Sequence, residues 1–267
     1  MSVKMNTFNR ALFTHVLLAL AALCLSLLSE LLSGIKIDQS FYPLVFFSTL
    51  FIYRLAWYGV PFKINQLHKT DSILMLMSGI VILFTLFHVS ENIVTGLALA
   101  LLACIAYFIR YKNWLGLRTI SYVKSIWLAA VWSIVTVWIP LSFSTDKHIL
   151  LLLTERFLFM LAICIIYNLR DIHHDNLAGI RTIPERLGIP LTKTICMLIL
   201  VLNGLLIWQH HYPDYIYQAL NVSVVLTVLI VLFARRNGHW MYFTLLIDGS
   251  MILQFLLVLF AVQNSVH

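Results

Sequence analysis

Tyr167-Asn168-Leu169-Arg170-Asp171-Ile172-His173-His174-Asp175-Asn176-Leu177-Ala178-Gly179-Ile180-Arg181-Thr182-Ile183-Pro184-Glu185-Arg186-Leu187-Gly188 is the longest polar run in a very apolar chain. Asp171 and Asp175 stand four residues apart, so on a helix their carboxylates share one face. Two like charges that close repel unless a cation lies between them or one is protonated. Arg170, Arg181 and Arg186 surround them, a setting that suits a phosphate group bridged by a metal. Gly179 is placed to end the helix, and Thr182 with Pro184 to restart the chain beyond a turn.

On either side of this run the chain reads as membrane. Of its 267 residues 61% are hydrophobic and only 11% charged, which excludes a soluble globule. Apolar runs long enough to cross roughly 30 Å of hydrocarbon recur near 11–33, 41–60, 72–90, 92–111, 121–141, 148–168, 193–210, 214–233 and 241–263. All are expected to be helical, because unpaired backbone is too costly in lipid. The expectation is an all-α, polytopic membrane protein of about nine transmembrane helices, one domain over 1–267 with no soluble module attached. Cys24, Cys104, Cys164 and Cys196 lie within apolar segments without paired spacing and read as packing residues.

The formal charge of +7 invites a nucleic-acid reading that its distribution opposes. With the amino terminus in the cytoplasm, Lys4, Arg10, Lys63, Lys69, Arg110, Lys112, Arg118, Lys124, Arg170, Arg181, Arg186, Lys193, Arg235 and Arg236 all fall on the cytoplasmic side. Lys36 and Lys147 fall outside. That is the positive-inside pattern, and it puts the amino terminus and the 169–192 loop in the cytoplasm. The basic excess reads as topology and attraction to membrane lipid, with no nucleic acid as partner.

The polar run resembles the second aspartate-rich motif of the UbiA superfamily of intramembrane prenyltransferases. The form Asn-Leu-Arg-Asp-x-x-x-Asp-x-x-Ala-Gly-x-Arg-Thr-x-x-x-Arg-Leu-Gly is closest to the dihydroxynaphthoate prenyltransferase branch, in quinone biosynthesis. The matching residues are Asn168 to Asp171, Asp175, Ala178, Gly179, Arg181, Thr182 and Arg186 to Gly188. The resemblance implies nine helices around a central cavity and Mg²⁺-dependent transfer of an isoprenyl group from a prenyl diphosphate to an aromatic or lipophilic acceptor. Asp171 and Asp175 would then be the catalytic pair and hold Mg²⁺. Arg170, Arg181 and Lys124 would contact the diphosphate, and Asn168 would support the site.

The resemblance breaks after the second span. The family carries its first motif there, of the form Asn-Asp-x-x-Asp-x-x-x-Asp, whereas this chain has no acid between Asp38 and Asp71. Arg54, Lys63, His68 and Lys69 stand roughly where carboxylates are expected. Arg54, Lys63 and Lys69 are therefore candidates to bring positive charge directly to the diphosphate, in place of a metal. They serve equally the positive-inside bias. The second function that fits is a UbiA-like protein without catalysis, binding a quinone, a prenyl lipid or a protein partner.

Other polar residues inside spans need partners. Glu155-Arg156 lies away from either charged end of its helix, at a cost on the order of 3 kcal/mol each if unpaired, so mutual or interhelical pairing is expected. Asp248 is a buried acid for which Arg54 and Arg156 are the candidate partners. His15 and Glu30 read as interfacial, and His210-His211 lacks further ligands at metal spacing. The chain also lacks the Asp-x-x-Asp-Gly-x-x-Ala-Arg run that precedes Asp-x-x-x-Asp in the CDP-alcohol phosphatidyltransferases, and the histidine clusters of membrane desaturases.

Overall fold

The structure is a computed structural model that describes residues 7–58, 68–108, 117, 120–177, 182–236 and 238–265, with all their side chains except those of 108, 121, 171 and 173–177. Among these residues the regular elements are all helices. In chain order they are α1 (Thr7–Ser33), α2 (Phe41–Tyr58), α3 (Lys69–Leu86), α4 (Glu91–Phe108), α5 (Ser121–Ser133, continued by a π-helical segment Ile134–Trp138), α6 (Lys147–Leu177), the short α7 (Ile183–Leu187), α8 (Ile189–Gln209), α9 (Asp214–Phe233) and α10 (Gly249–Ser265, preceded by a π-helical segment Tyr242–Asp248). Nine long helices among the described residues match the nine expected spans. Six segments are long and apolar enough to cross a membrane: Thr7–Ser33, Lys69–Leu86, Lys147–Arg170, Ile189–Gln209, Asp214–Phe233 and Tyr242–Ser265. Glu91–Tyr107 and Tyr122–Trp138 are shorter apolar helices.

The helices are built inside out, as lipid requires. On α3 the buried positions are Asp71, Ser78 and Thr85, a polar seam at a spacing of seven, while Ile73, Leu76, Ile80, Leu83 and Phe84 are exposed. Where the surroundings are as apolar as leucine, burying apolar surface does not bring helices together; close packing of small residues and interhelical hydrogen bonds do. The same logic gives α1 its buried Ala11, Ala19, Ala21, Ala22, Ser26 and Ser29, and α9 its buried Ala219, Ser223 and Thr227.

Helices α1 and α6 are the most buried spans and organise the rest. One side of α1 takes α2, on which α3 leans, and another takes α10. Along α6 lie α5 and α8, then α9 against α8 and α10 against α9, which closes the circuit back to α1. Both π-helical segments pack on α1 and on α6. Because successive long helices run antiparallel, the start of α1, the end of α2, the starts of α3, α5 and α10, and the end of α6 share one end of the bundle, here the near end. The starts of α2, α6 and α9 share the far end with the ends of α1 and α8.

The helix end expected at Gly179 falls outside the described residues, whereas the restart expected at Thr182 and Pro184 is described. Helix α6 runs through Asp171 and Asp175 to Leu177; 178–181 lie outside the described residues. Thr182, in extended conformation, then precedes α7, with Pro184 in its first turn. Gly188 separates α7 from α8 with φ +79° and ψ 159°, a conformation that belongs almost to glycine alone.

Candidate active site

The near end gathers polar side chains from six helices. At 31 residues α6 is roughly 46 Å long at 1.5 Å per residue, and Arg170 lies toward its end. Asp171 and Asp175 follow Arg170 by one and five residues, on helical backbone. Their side chains, and the whole of Lys63 and Arg181, lie outside what the structure describes. A pair of hard carboxylate donors one turn apart is a donor set that suits Mg²⁺. Among the described residues no group of three or more His, Cys, Asp or Glu stands at metal-binding geometry.

One turn back from the pair, the Arg170 Nη1 donates to Tyr167 Oη at 2.7 Å, and its guanidinium lies 4.1 Å from the centre of the Tyr167 ring. Tyr167 in turn donates to Asp248 Oδ2 at 2.9 Å. Asp248 ends the π-helical segment of α10 and is buried. The buried acid is thus met by a tyrosine of α6, whereas the two arginines proposed from the sequence are bonded elsewhere. Asn168, also buried, donates from Nδ2 to Ser125 Oγ at 3.0 Å and ties α6 to α5. Lys124, next to that serine, is half-buried and within electrostatic reach of Cys164 on α6, so it faces the interior.

Across from these groups stands Arg54 of α2, completely buried. It pairs with Asp71 of α3, which also accepts the Tyr58 hydroxyl. Its Nη1 lies 3.4 Å from His15 Nδ1 on α1, and the Phe8 ring is 5.2 Å from its guanidinium carbon. Arg54 Nε and Asp71 Oδ1 are buried with no hydrogen-bond partner, so this cluster retains a donor and an acceptor. Arg54 thus sits in the polar interior and does not snorkel to the inner surface. His15, read as interfacial, is inside as well, and within electrostatic reach of Arg170. Tyr53, hydrogen-bonded to Trp132 of α5 and close to Asp248, closes the interior from the α2 side. Lys69 is exposed at the first residue of α3.

Arg54, Lys124, Asn168 and Arg170 therefore belong to one end of one interior, with Lys69 at its rim. The sequence reading missed Asp71, Tyr58, Tyr167 and His15, each of which acquires its role from a residue on another helix. For Asp71 a signal was present: it is the first acid after the gap, at the very start of an apolar span.

No protein-family profile and no curated protein matches the sequence. Solved structures do resemble the fold. One is described as digeranylgeranylglyceryl phosphate synthase in membranes; it is 11% identical, with 96% of this chain and 97% of that chain covered and a TM-score of 0.56. The chain is a multi-pass, all-helical membrane protein whose fold is similar to that of a membrane prenyltransferase.

Proposed function

We propose that this protein is a prenyltransferase-like membrane enzyme, moving an isoprenyl group from a prenyl diphosphate to an aromatic or lipophilic acceptor. The observation that carries the reading is the continuity of α6: one helix passes from a buried apolar stretch into the polar Asp171/Asp175 motif, a boundary beside which Arg170 donates to Tyr167. A diphosphate is polar and its chain is not, so its site belongs at such a boundary. The full-length likeness to digeranylgeranylglyceryl phosphate synthase supports the fold that this needs.

Asp171 and Asp175 would hold Mg²⁺, which supplies charge neutralisation to the departing diphosphate. Arg170, Lys124 and Lys69 add cationic hydrogen-bond donors from three helices, with Lys63 and Arg181 in the adjoining connections. Arg54 contributes differently from a free cation, since Asp71 already neutralises it; its Nη1 and Nε edges remain inside the cluster. Asn168 positions the motif by fixing α6 to α5. Tyr53 and Trp132 would offer aromatic faces to an allylic cation.

A second reading, a non-catalytic protein that binds a quinone or prenyl lipid, is favoured by the Arg54–Asp71 pair itself. Where the resembled family places metal-binding acids, this chain has an ion pair of zero net charge. Transfer of label from a radiolabelled prenyl diphosphate to a panel of aromatic acceptors, with and without Mg²⁺, separates the two. The enzyme reading expects Mg²⁺-dependent product that Asp171→Asn or Asp175→Asn abolishes without loss of folded protein. Prenyl-diphosphate or quinone binding with no product under any condition would leave the second reading.

A further inference from the structure

At the far end a second buried polar cluster lies on the same helix and has no part in the site above. Glu155 stands eight residues into α6, about 12 Å along its axis, and is 4% exposed. Its Oε2 lies 3.4 Å from Nε2 of His210, in the connection between α8 and α9. Neither atom has another hydrogen-bond partner; the His210 ring also faces the Leu151 carbonyl, one turn before Glu155. His210 Nδ1 lies 3.3 Å from His148 Nδ1, and His148 Nε2 lies 3.4 Å from the Leu32 carbonyl of α1. Tyr212 stacks on the His210 ring at 4.6 Å, with its hydroxyl buried and unpartnered near Glu155.

One arrangement of protons satisfies the contacts of both imidazoles. A carbonyl only accepts, so His148 must donate from Nε2 to Leu32 and is left with a bare Nδ1. His210 must then donate from its own Nδ1, which leaves Nε2 bare unless a proton lies between it and Glu155. Without that proton a carboxylate would face a lone pair in a dry interior. In such surroundings the neutral arrangement, with the proton on Glu155, is favoured over an ion pair.

We infer that Glu155 and His210 form a proton-binding site that exchanges with water at the far end of the bundle through His148. In the outward step the Glu155 carboxyl proton moves to His210 Nε2, the His210 Nδ1 proton moves to His148 Nδ1, and the His148 Nε2 proton leaves to water. One proton has gone, Glu155 is anionic, and both imidazoles are neutral in the other tautomer. His148, half-buried in the first turn of α6, gives the path its wet end. The Arg156 cation lies within electrostatic reach of Glu155 but hydrogen-bonds elsewhere. Arg156 is turned to α1, where Nη1 donates to Leu25 O at 3.1 Å and Nη2 to Ser29 Oγ at 3.5 Å. Asn203 of α8 donates to the Glu155 backbone carbonyl at 2.7 Å. The charged groups of α5, α7 and α10 (Lys124, Glu185, Arg186 and Asp248) are at the near end.

Dicyclohexylcarbodiimide, which modifies protonated carboxyls in apolar surroundings, tests this on the full chain in oriented liposomes, with the adduct located by mass spectrometry. The expected result is modification at Glu155 whose rate follows the pH of the far-side compartment, falling about tenfold per pH unit once the site empties. His148→Phe is expected to slow the response to a far-side pH jump by about tenfold or more. Infrared spectra of the unsubstituted protein are expected to show a deuterium-sensitive carboxylic-acid carbonyl band that Glu155→Gln removes. Absence of both the adduct and the acid band in the unsubstituted protein would overturn the site. A labelling rate set by near-side pH, or unchanged in His148→Phe, would overturn the route. None of these readouts depends on prenyl transfer.

Discussion

Arg54 and Asp71 are both completely buried and each is the other's counter-charge, so removing one strands the other in a dry interior. Asp71→Asn is expected to destabilise the protein by about 3–5 kcal/mol, read as a shift in an SDS-unfolding titration. Replacing both partners by Arg54→Met with Asp71→Leu should recover most of the loss. An unchanged titration for Asp71→Asn would take the pair out of the interior. His210, beyond the end of α8, carries a pH dependence of opposite origin. Burial, with His148 beside it, lowers its ionisation from 6.5 to about 4. The unfolded chain therefore binds more protons between those values, so stability is full above about 6.5 and falls as pH drops toward 4. His210→Gln should flatten that acid limb; an unaltered limb would assign it to another group. That Asp171 and Asp175 share one helix with Arg170 was legible in the sequence from their spacing. Asp71, His15 and Tyr167 were not, because each owes its partner to packing between helices, which spacing along one chain does not report.

At the scale of elements, length and apolarity located all nine long helices, since the hydrocarbon sets how many residues a span needs. They did not reveal the π-helical segments Ile134–Trp138 and Tyr242–Asp248, which have no distinguishing composition. Each shifts the helical phase, and in α10 the shifted stretch ends on Asp248, the acid that meets Tyr167. After the first segment the chain turns sharply through Ser142 and Phe143, at φ 56° and 57°, and sets the Phe143 ring against α4. Gly96 is what allows this approach: a Cβ there would come within 2.6 Å of the Phe143 ring and 2.8 Å of Ile139. Gly96→Val should cost about 1–3 kcal/mol by overpacking, recovered in part by Phe143→Leu. Thermal unfolding of the single and double variants checks it, and additive losses would contradict the contact.

For the whole molecule, the fold class and single-bundle organisation follow from how the apolar runs and charges alternate, whereas the circuit of α1, α10, α9, α8, α6 and α5 is a property of packing alone. The distribution of Lys and Arg predicts the near end in the cytoplasm. Single cysteines introduced in 169–192 and beside Lys36 in a cysteine-free background should react with impermeant maleimide from opposite sides, the first only from the cytoplasmic face. Labelling of 169–192 from outside would invert the arrangement. Helix α6 has a thermodynamic consequence for the two ends. It is one uninterrupted rod, with Glu155 and Arg170 fifteen residues apart, roughly 22 Å along the same axis. If gaining or losing the far-end proton displaces that rod, the affinity for diphosphate at the near end changes by some factor. Linkage then obliges diphosphate to change the proton affinity of Glu155 by the same factor. A membrane-potential or pH difference would thereby become an effector of a reaction in which no proton crosses the bilayer.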